Sequence, residues 1–459
     1  MTSSRVSKDA KSIKIIKAGG DVLSDHFSRF CDILASTNMP IIVLASPFDD
    51  LLVKAKQLCN GEEISKILGE MEEMFGVSKE SSKKVIGLWE SVHINLRSEQ
   101  GDLRDAKIIS AISKLSALTL CEKLKDKSIS GVKYVSSEYL VQTDSNYLDG
   151  EIADVATMER LRALIETLSP GDIVVVPAYI GINYAGEPTY LGDNSSELVA
   201  SRLAYLAKDT FSDKRVWLNI LSPAWYNLHP KWAERYAQGH LKPVPYLTVE
   251  EVLSTADFML SAIVEATVRG VITEIIDISS KNVTRIVKRR GNVNEMPIVA
   301  IAGYECEYVE IKRSVYIPPS LEFNVDIGIN QLSSSEIVFR ASYPTSIVRC
   351  LMHKDALNVD VRADIAELSH YLTNVFRTQI NTCQCTMIKI IGEGLSDHKD
   401  ALRIALKKNL NRAGFSIMRY LDDDYYSVTI ILKGNGMQGK SGSLAIISKT
   451  ALNLTNSRN

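Results

Sequence analysis

A short segment near the start of the sequence has the composition of a phosphate-binding turn. Lys17-Ala18-Gly19-Gly20 directly follows Ile13-Lys14-Ile15-Ile16, an apolar run typical of a buried β-strand. Glycines let a backbone approach an anion closely, and a lysine beside them adds a positive charge. The pattern predicts contact between Lys17 and the phosphates of a nucleotide. A surface lysine at a strand end, followed by a turn, is the simpler alternative.

Strands and helices alternate around and after this turn. Helical periodicity covers residues 23–36, and Ile41-Ile42-Val43-Leu44 follows as an all-apolar strand. Apolar strands joined by helices indicate a buried parallel sheet. Further strands are predicted at 132–135, 173–176, 216–220 and 272–278, with helices over most of 50–127 and at 193–208 and 249–268. Residues 13–290 are therefore predicted to form a three-layer α/β domain with helices on both faces of the sheet.

The pattern changes after about residue 290, where β-rich segments of alternating polarity replace most helices. Strands are predicted at 298–302, 308–312, 324–329 and 336–341, followed by a helix at 361–377 and a β-α-β-β pattern from 386 to 432. Residues 291–452 are therefore predicted to form an α+β region of two similar parts. Residues 1–12 and 453–459 are polar and are predicted to be disordered.

Composition excludes several classes of partner. The 459 residues carry 53 Lys+Arg against 55 Asp+Glu, a balance that does not favour nucleic acid or an anionic membrane. No apolar run is long enough for a transmembrane helix, and the N-terminus lacks a signal-peptide core. The seven cysteines are an odd number without zinc-type spacing, which favours reduced thiols in the cytoplasm. The seven histidines form no ligand-type cluster, so no metal site is predicted.

Taken in order, these segments resemble the aspartokinases of the amino-acid kinase family, and the resemblance spans about residues 13–450. Four matches carry it, and in the first Lys17-Ala18-Gly19-Gly20 resembles K-F-G-G-T-S. In the second, Ala178-Tyr179-Ile180-Gly181 resembles G-F-I-G and Thr189-Tyr190-Leu191-Gly192 resembles T-T-L-G; in the third, Trp217-Leu218-Asn219 resembles W-T-D and Tyr226-Asn227-Leu228-His229-Pro230-Lys231 resembles Y-T-A-D-P-R. In the fourth, Gly392-Glu393-Gly394-Leu395 and Ala413-Gly414-Phe415-Ser416-Ile417 resemble segments of an ACT domain. The resemblance implies an αβα amino-acid kinase-like domain followed by ferredoxin-like ACT domains. The second ACT domain would span about 384–450, and the first is trimmed.

The resemblance also assigns roles to individual residues. It implies catalytic roles for Lys17 and Asn219. Contact with the nucleotide and its phosphates would come from Lys17, Gly19, Gly20, Tyr226 and Lys231. Substrate contacts would come from Ser46, Ser113, Asp193, Ser196 and Glu197.

Several of these positions depart from the family's pattern, and most departures change charge. Asp21 stands where the family has threonine, and Asp193 stands where it has its substrate-binding arginine. Its substrate-binding glutamate aligns with Ser113, the aspartate of W-T-D with Asn219, and a later lysine with Ser261. Phosphoryl transfer depends on cations and oriented donors around the transferring group. The departures therefore predict that ordinary aspartate kinase activity is lost.

Simpler interpretations stand beside the functional ones for most of these residues. Asp193 and Glu197 suit the start of helix 193–208, where the helix dipole favours acids. Asn219 is equally well explained as a polar residue of a strand, and Tyr226 as an apolar packing residue. Lys231 is more simply a loop residue.

Two functional hypotheses follow. The first is an aspartokinase-like protein that binds a small amino-acid-like ligand as a regulatory or repurposed homologue, without a cofactor. The alternative is an active kinase that uses ATP and Mg²⁺ to convert a carboxylate into an acyl phosphate. In both, the resemblance implies a cytoplasmic homodimer assembled through the ACT region.

Overall fold

The structure is a computed structural model, and it divides the chain into two units. It describes residues 12–48, 51–75, 83–98, 100–192, 195–222, 243–254, 258–289, 300–312, 347–353, 379–392, 395, 398–421, 427–433, 446–447 and 450. The first unit comprises residues 1–224 and 262–287. The second comprises residues 225–261 and 288–459.

Seven strands of the first unit lie side by side in the order β3-β4-β2-β1-β7-β9-β10. Six of them run parallel, and β10 pairs antiparallel with β9. β2 and β4 are buried along their whole length, as expected for apolar strands covered on both faces. The bounds are β1 Ser12–Ala18, β2 Ile41–Ala45, β3 Val132–Tyr134, β4 Ile173–Pro177, β7 Arg215–Leu221, β9 Ile272–Ile276 and β10 Val283–Val287; β5 Ile180–Ile182 and β6 Pro188–Tyr190 form a separate hairpin.

Helices cover both faces of this sheet. Ile16 of β1 and Val43 of β2 share one buried cluster with Ile112 of α6. The next residue of β1, Lys17, points to the other face and meets Glu197 of α8. The helices are α1 Gly20–Asp25, α2 Phe27–Ala35, α3 Leu51–Cys59, α4 Ile64–Phe75, α5 Lys83–Leu96, α6 Asp102–Asp126, α7 Asp154–Thr167 and α8 Ser195–Thr210, with a 3₁₀ turn at Ser137–Tyr139.

One predicted helix is interrupted. The helix predicted over 23–36 is two helices, because His26 leaves helical geometry at φ −122° and ψ 23° and ends α1. Within the helix predicted over 249–268, the structure describes α9 Val249–Ser254 and α10 Phe258–Val268. No described helix has both the length and the apolar character needed to cross a membrane.

The described part of the second unit is α+β, as predicted. Five antiparallel strands lie in the order β12-β11-β13-β15-β14, and the apolar side chains of α11 pack with those of β13 and β15. The elements are β8 Tyr246–Thr248, β11 Ala300–Lys312, β12 Ile347–His353, β13 Gln379–Ile391, α11 Lys399–Arg412, β14 Ser416–Leu421 and β15 Ser427–Lys433. The strands predicted at 324–329 and 336–341 and the helix at 361–377 lie outside the described residues.

Candidate functional site

The candidate site lies where β1, β2 and β4 end together at their carboxyl edge. Ala18, Ala45 and Pro177 are in register across the three strands. The backbone continues this alignment, since the Ser46 N–H donates to the carbonyl of Ala18 at 3.0 Å. Ligands of open α/β sheets bind beyond the carboxyl ends of the strands. Lys17, Gly19, Gly20 and Ser46 are therefore brought together at a position suited to ligand binding.

Lys17 forms a shielded ion pair at this edge. Its Nζ lies 2.5 Å from Oε1 of Glu197, and the side chains are only 11% and 8% exposed. Ser196 Oγ donates to the other oxygen of Glu197 at 2.7 Å. It also lies 3.4 Å from the hydroxyl of Tyr179, a residue that follows β4. Glu197 is the third residue of α8, where the helix dipole stabilises an acid. The structure thus groups Lys17, Ser196 and Glu197, and it places Glu197 as the counter-ion of the lysine.

The glycine turn after β1 is occupied by one of the chain's own carboxylates. Gly19 is extended, with φ −70° and ψ 163°, and Gly20 begins α1. A Cβ placed on Gly19 would lie 2.5 Å from Oδ1 of Asp21 and 3.5 Å from Nζ of Lys17. Asp21 thus occupies the space next to Gly19, and a side chain at Gly19 would have to displace this carboxylate. A second acid therefore lies beside the lysine.

Buried hydroxyl groups lie just after β2, on α6 and at the start of α8. Ser46 and Ser113 are 5% and 2% exposed, and the Oγ of each has no hydrogen-bond partner among the described residues. The same holds for Ser110, one turn before Ser113 on α6, and for Ser195 at the start of α8. A buried hydroxyl without a partner is unfavourable, so such groups commonly mark a ligand or water position. Ser110, Ser195 and Tyr179 were not predicted, because an isolated serine or tyrosine carries no sequence signal.

Two serines one turn apart on α6 should respond oppositely to substitution. Ser116 Oγ accepts the buried N–H of Phe48 at 3.1 Å, whereas Ser113 Oγ has no partner within the described ranges. Ser113→Ala is expected to raise the free energy of unfolding by about 1 kcal/mol, and Ser116→Ala to lower it by about 1–2 kcal/mol. Amide hydrogen exchange of β2 and α6 measures both. Equal effects of the two variants would contradict the assignment.

Asn219 lies on the opposite face of the sheet from Lys17. It is in register with Ile16 and Glu274, whereas Lys17 is in register with Ile220. Its Nδ2 donates to Oε2 of Glu274 at 3.1 Å, and its buried Oδ1 has no partner in the described part of the chain. The strand continues to Leu221, so Asn219 also falls short of the carboxyl edge. The structure therefore does not bring Asn219 and Lys17 into one site.

Charged residues surround Asn219 on that second face. Glu274 pairs with the guanidinium of Arg285 at 2.5 Å, and Arg285 lies 6.0 Å from the ring centre of Trp217. Burial lowers the pKa of Lys14, and the nearby carboxylate of Glu274 opposes that shift. Asn219 therefore belongs to a polar cluster inside the sheet, in line with its simpler interpretation as a strand residue.

A turn at the end of β9 fixes another part of the carboxyl edge. Asp277 Oδ1 accepts from the backbone N–H and hydroxyl of Ser279, at 2.8 and 2.6 Å, and Oδ2 accepts from the Ser280 hydroxyl at 2.6 Å. Burial raises the pKa of Asp277, but hydrogen bonds from Ser279 and Ser280 outweigh it and lower the pKa to about 2. Arg29 of α2 donates to the carbonyl of Ile278 at 2.9 Å. The ionised carboxylate therefore holds the turn together.

Asp277→Ala is expected to lower the free energy of unfolding by about 2 kcal/mol at neutral pH, because the donors of Ser279 and Ser280 lose their ionised acceptor. The folded pKa lies below the ordinary value of about 4, so the stabilisation is complete above that pH. It is lost as the pH falls through about 2. Melting temperatures of wild type and variant should therefore converge on acidification. A difference that does not change with pH would contradict the role of the ionised group.

Three predicted site residues lie outside the described part of the chain. They are Asp193, Tyr226 and Lys231, and the side chain of Ser261 is likewise not described. Directly before Asp193, Gly192 has a φ of +86°, and a Cβ on Gly192 would approach Oδ1 of Asp149 to 2.9 Å. Glycine is therefore needed at the turn that leads into α8.

Comparison with known proteins shows which family the chain resembles. Residues 12–208, which include β1, the glycine turn and Glu197, match the sequence model of the amino acid kinase family. Over these residues the chain is similar to that family. No curated protein matches it by sequence. The resemblance proposed from the motifs is confirmed.

Solved aspartokinases share the fold along almost the whole chain. Escherichia coli aspartokinase III, solved with aspartate and ADP in its R-state, has a TM-score of 0.72 at 15% identity, covering 96% of this chain and 100% of that one. Its T-state, with lysine and aspartate, has 0.69 at 15% identity, covering 95% and 99%. Clostridium acetobutylicum aspartate kinase has 0.65 at 13% identity, covering 96% and 99%. At these identities the likeness is one of fold.

The aspartokinase-like fold agrees with the fold class predicted from the sequence, an αβα domain followed by an α+β region of ACT type. Within this fold, the described site contains one lysine and two carboxylates, Lys17 with Glu197 and Asp21. Buried, uncharged hydroxyls stand at Ser46, Ser113 and Ser195.

Proposed function

We propose that this protein is a regulatory or repurposed aspartokinase homologue that binds a small amino-acid-like ligand and lacks ordinary aspartate kinase activity. The ligand would lie beyond the carboxyl ends of β1, β2 and β4. One observation carries the proposal: the ammonium group of Lys17 is already paired with Glu197 at 2.5 Å. A paired ammonium has little net charge to offer an incoming phosphate.

Charge balance is the physical reason for proposing lost activity. A phosphoryl-transfer site stabilises negative charge spread over the transferring group, and a single oriented donor or cation contributes about 3–4 kcal/mol. Glu197 and Asp21 together outweigh Lys17 among the described side chains of the site. These residues do not fit a nucleoside triphosphate, because they supply net negative charge where its phosphates need positive charge.

The predicted substrate contacts support the same conclusion. An amino-acid substrate carries an ammonium group that is best held by a carboxylate. Ser113 offers a hydroxyl at the position that aligns with the family's glutamate, and it is 2% exposed. Ser46 and Ser196 are uncharged as well. Such a site suits hydrogen bonding to a ligand better than the holding of a dicarboxylate.

An active ATP-dependent kinase is the second candidate. Two observations favour it: the Lys17-Gly19-Gly20 turn stands at the carboxyl edge of the sheet, and the fold is similar to that of an aspartokinase solved with aspartate and ADP. In this case ATP and Mg²⁺ would be the cofactors, and the acceptor would be the carboxylate of aspartate or of a different amino-acid-like molecule.

Thermal-shift measurements with millimolar Mg-ATP separate the two candidates. The full-length protein is compared with the double variant Lys17→Met/Glu197→Gln, in which both charges of the ion pair are removed together. The proposal predicts that Mg-ATP raises the melting temperature of neither protein. Stabilisation of the wild type alone would favour the kinase, since ligand binding to the folded state raises its stability.

The proposal includes a homodimer formed through the ACT region and a cytoplasmic location. The homodimer follows from the aspartokinase-like domain order, and the odd, unspaced set of seven cysteines supports the reducing cytoplasm. Light scattering of the full-length protein gives its mass in solution. A monomeric mass at all concentrations would contradict the dimer.

A further inference from the structure

We infer that Asp21 determines ligand specificity by keeping anionic groups away from Lys17. This inference rests on the proposed function, because it explains how the site came to reject phosphate. Asp21 is exposed in the first turn of α1, directly after the two glycines. Its carboxylate is therefore free to meet a ligand that enters over the glycine turn.

The carboxylate of Asp21 lies next to Gly19. Oδ1 of Asp21 lies 2.5 Å from the point where a Cβ of Gly19 would stand, and Nζ of Lys17 lies 3.5 Å from the same point. The absence of a side chain on Gly19 normally gives an external anion access to the backbone. Here the chain's own carboxylate oxygen takes that space.

The two carboxylates near Lys17 outweigh its positive charge. Glu197 already neutralises the ammonium group at 2.5 Å, so the additional charge of Asp21 makes this corner net negative. A phosphate or carboxylate placed over Gly19 would meet a like charge at close range. Repulsion at such distances remains significant near a protein surface. The corner therefore accepts a ligand end that is uncharged or cationic, such as a protonated amine.

Replacing Asp21 should make the site accept anions. Asp21→Asn keeps the shape of the side chain and removes its charge, and Asp25→Asn, at the other end of α1, is the matched control. Inorganic tripolyphosphate is the probe, titrated into full-length protein by calorimetry at low salt. Asp21→Asn is expected to bind it about tenfold more tightly than the wild type. Asp25→Asn should behave as the wild type.

The outcomes distinguish this inference from the proposed function. Adding Lys17→Met/Glu197→Gln to Asp21→Asn should abolish the gain, because the ammonium group that attracts the probe is gone. Equal affinities of wild type and Asp21→Asn, or an equal gain in Asp25→Asn, would overturn the role of Asp21 alone. Binding of Mg-ATP by the wild type would instead overturn the proposed function.

Discussion

Lys17→Met is expected to lower the free energy of unfolding by about 3–5 kcal/mol, which is the usual cost of leaving one partner of a buried ion pair uncompensated. Glu197 is 8% exposed on its side chain and has Lys17 as its counter-ion. Its remaining contact, with the Ser196 hydroxyl at 2.7 Å, is neutral. Amide hydrogen exchange of β1 and α8 measures the loss locally, which suits a chain of two units that need not unfold together.

A double-mutant cycle supplies the control for this prediction. Glu197→Gln removes the negative charge, and the double variant Lys17→Met/Glu197→Gln removes both charges. The double variant should be more stable than Lys17→Met alone, because no unpaired charge remains in the buried site. If the losses in the free energy of unfolding of the two single variants add up to that of the double variant, Lys17 and Glu197 do not interact in solution. Lys17 would then not be neutralised by Glu197.

Phe30→Ala is expected to lower the free energy of unfolding by about 3–5 kcal/mol, since it leaves a cavity in a packed core. Phe30 is completely buried on α2, in the cluster that contains Ile16 of β1 and Ile41 of β2. This cluster supports β1, whose end carries Lys17 and the glycine turn. Faster amide hydrogen exchange in β1 and β2 would therefore accompany the loss.

Ile94→Ala on α5 is the matched control, because Ile94 is 64% exposed. Removing a similar apolar side chain there should change stability by less than about 0.5 kcal/mol. A loss of similar size in both variants would show that the effect does not come from core packing.

The strands that carry the site could be predicted from the sequence because their apolar runs are unambiguous. The strand predicted at residues 13–17 is Ser12–Ala18, and the run Ile41-Ile42-Val43-Leu44 lies within β2. The position of Lys17 at the end of a buried parallel strand follows directly from these runs. The interruption of the predicted helix 23–36 at His26 could not be predicted, because it depends on local backbone geometry.

Side-chain pairings across the sheet could not be predicted in the same way. Whether Asn219 shares a face with Lys17 depends on register, and a shift of one residue reverses the answer. Lys17 is paired with Ile220, so the two side chains point to opposite faces. The ion pair of Lys17 with Glu197 joins residues 180 positions apart in the sequence, and only the fold brings them together.

Aspartyl phosphate formation tests the central proposal most directly. The full-length protein is incubated with aspartate, Mg-ATP and hydroxylamine, which traps an acyl phosphate as its hydroxamate. Lys17→Met/Glu197→Gln is the matched control, since it removes both charges of the ion pair together. The neutralised lysine predicts that wild type and double variant give the same background. Hydroxamate formed by the wild type and absent from the double variant would contradict the proposal and establish an active kinase.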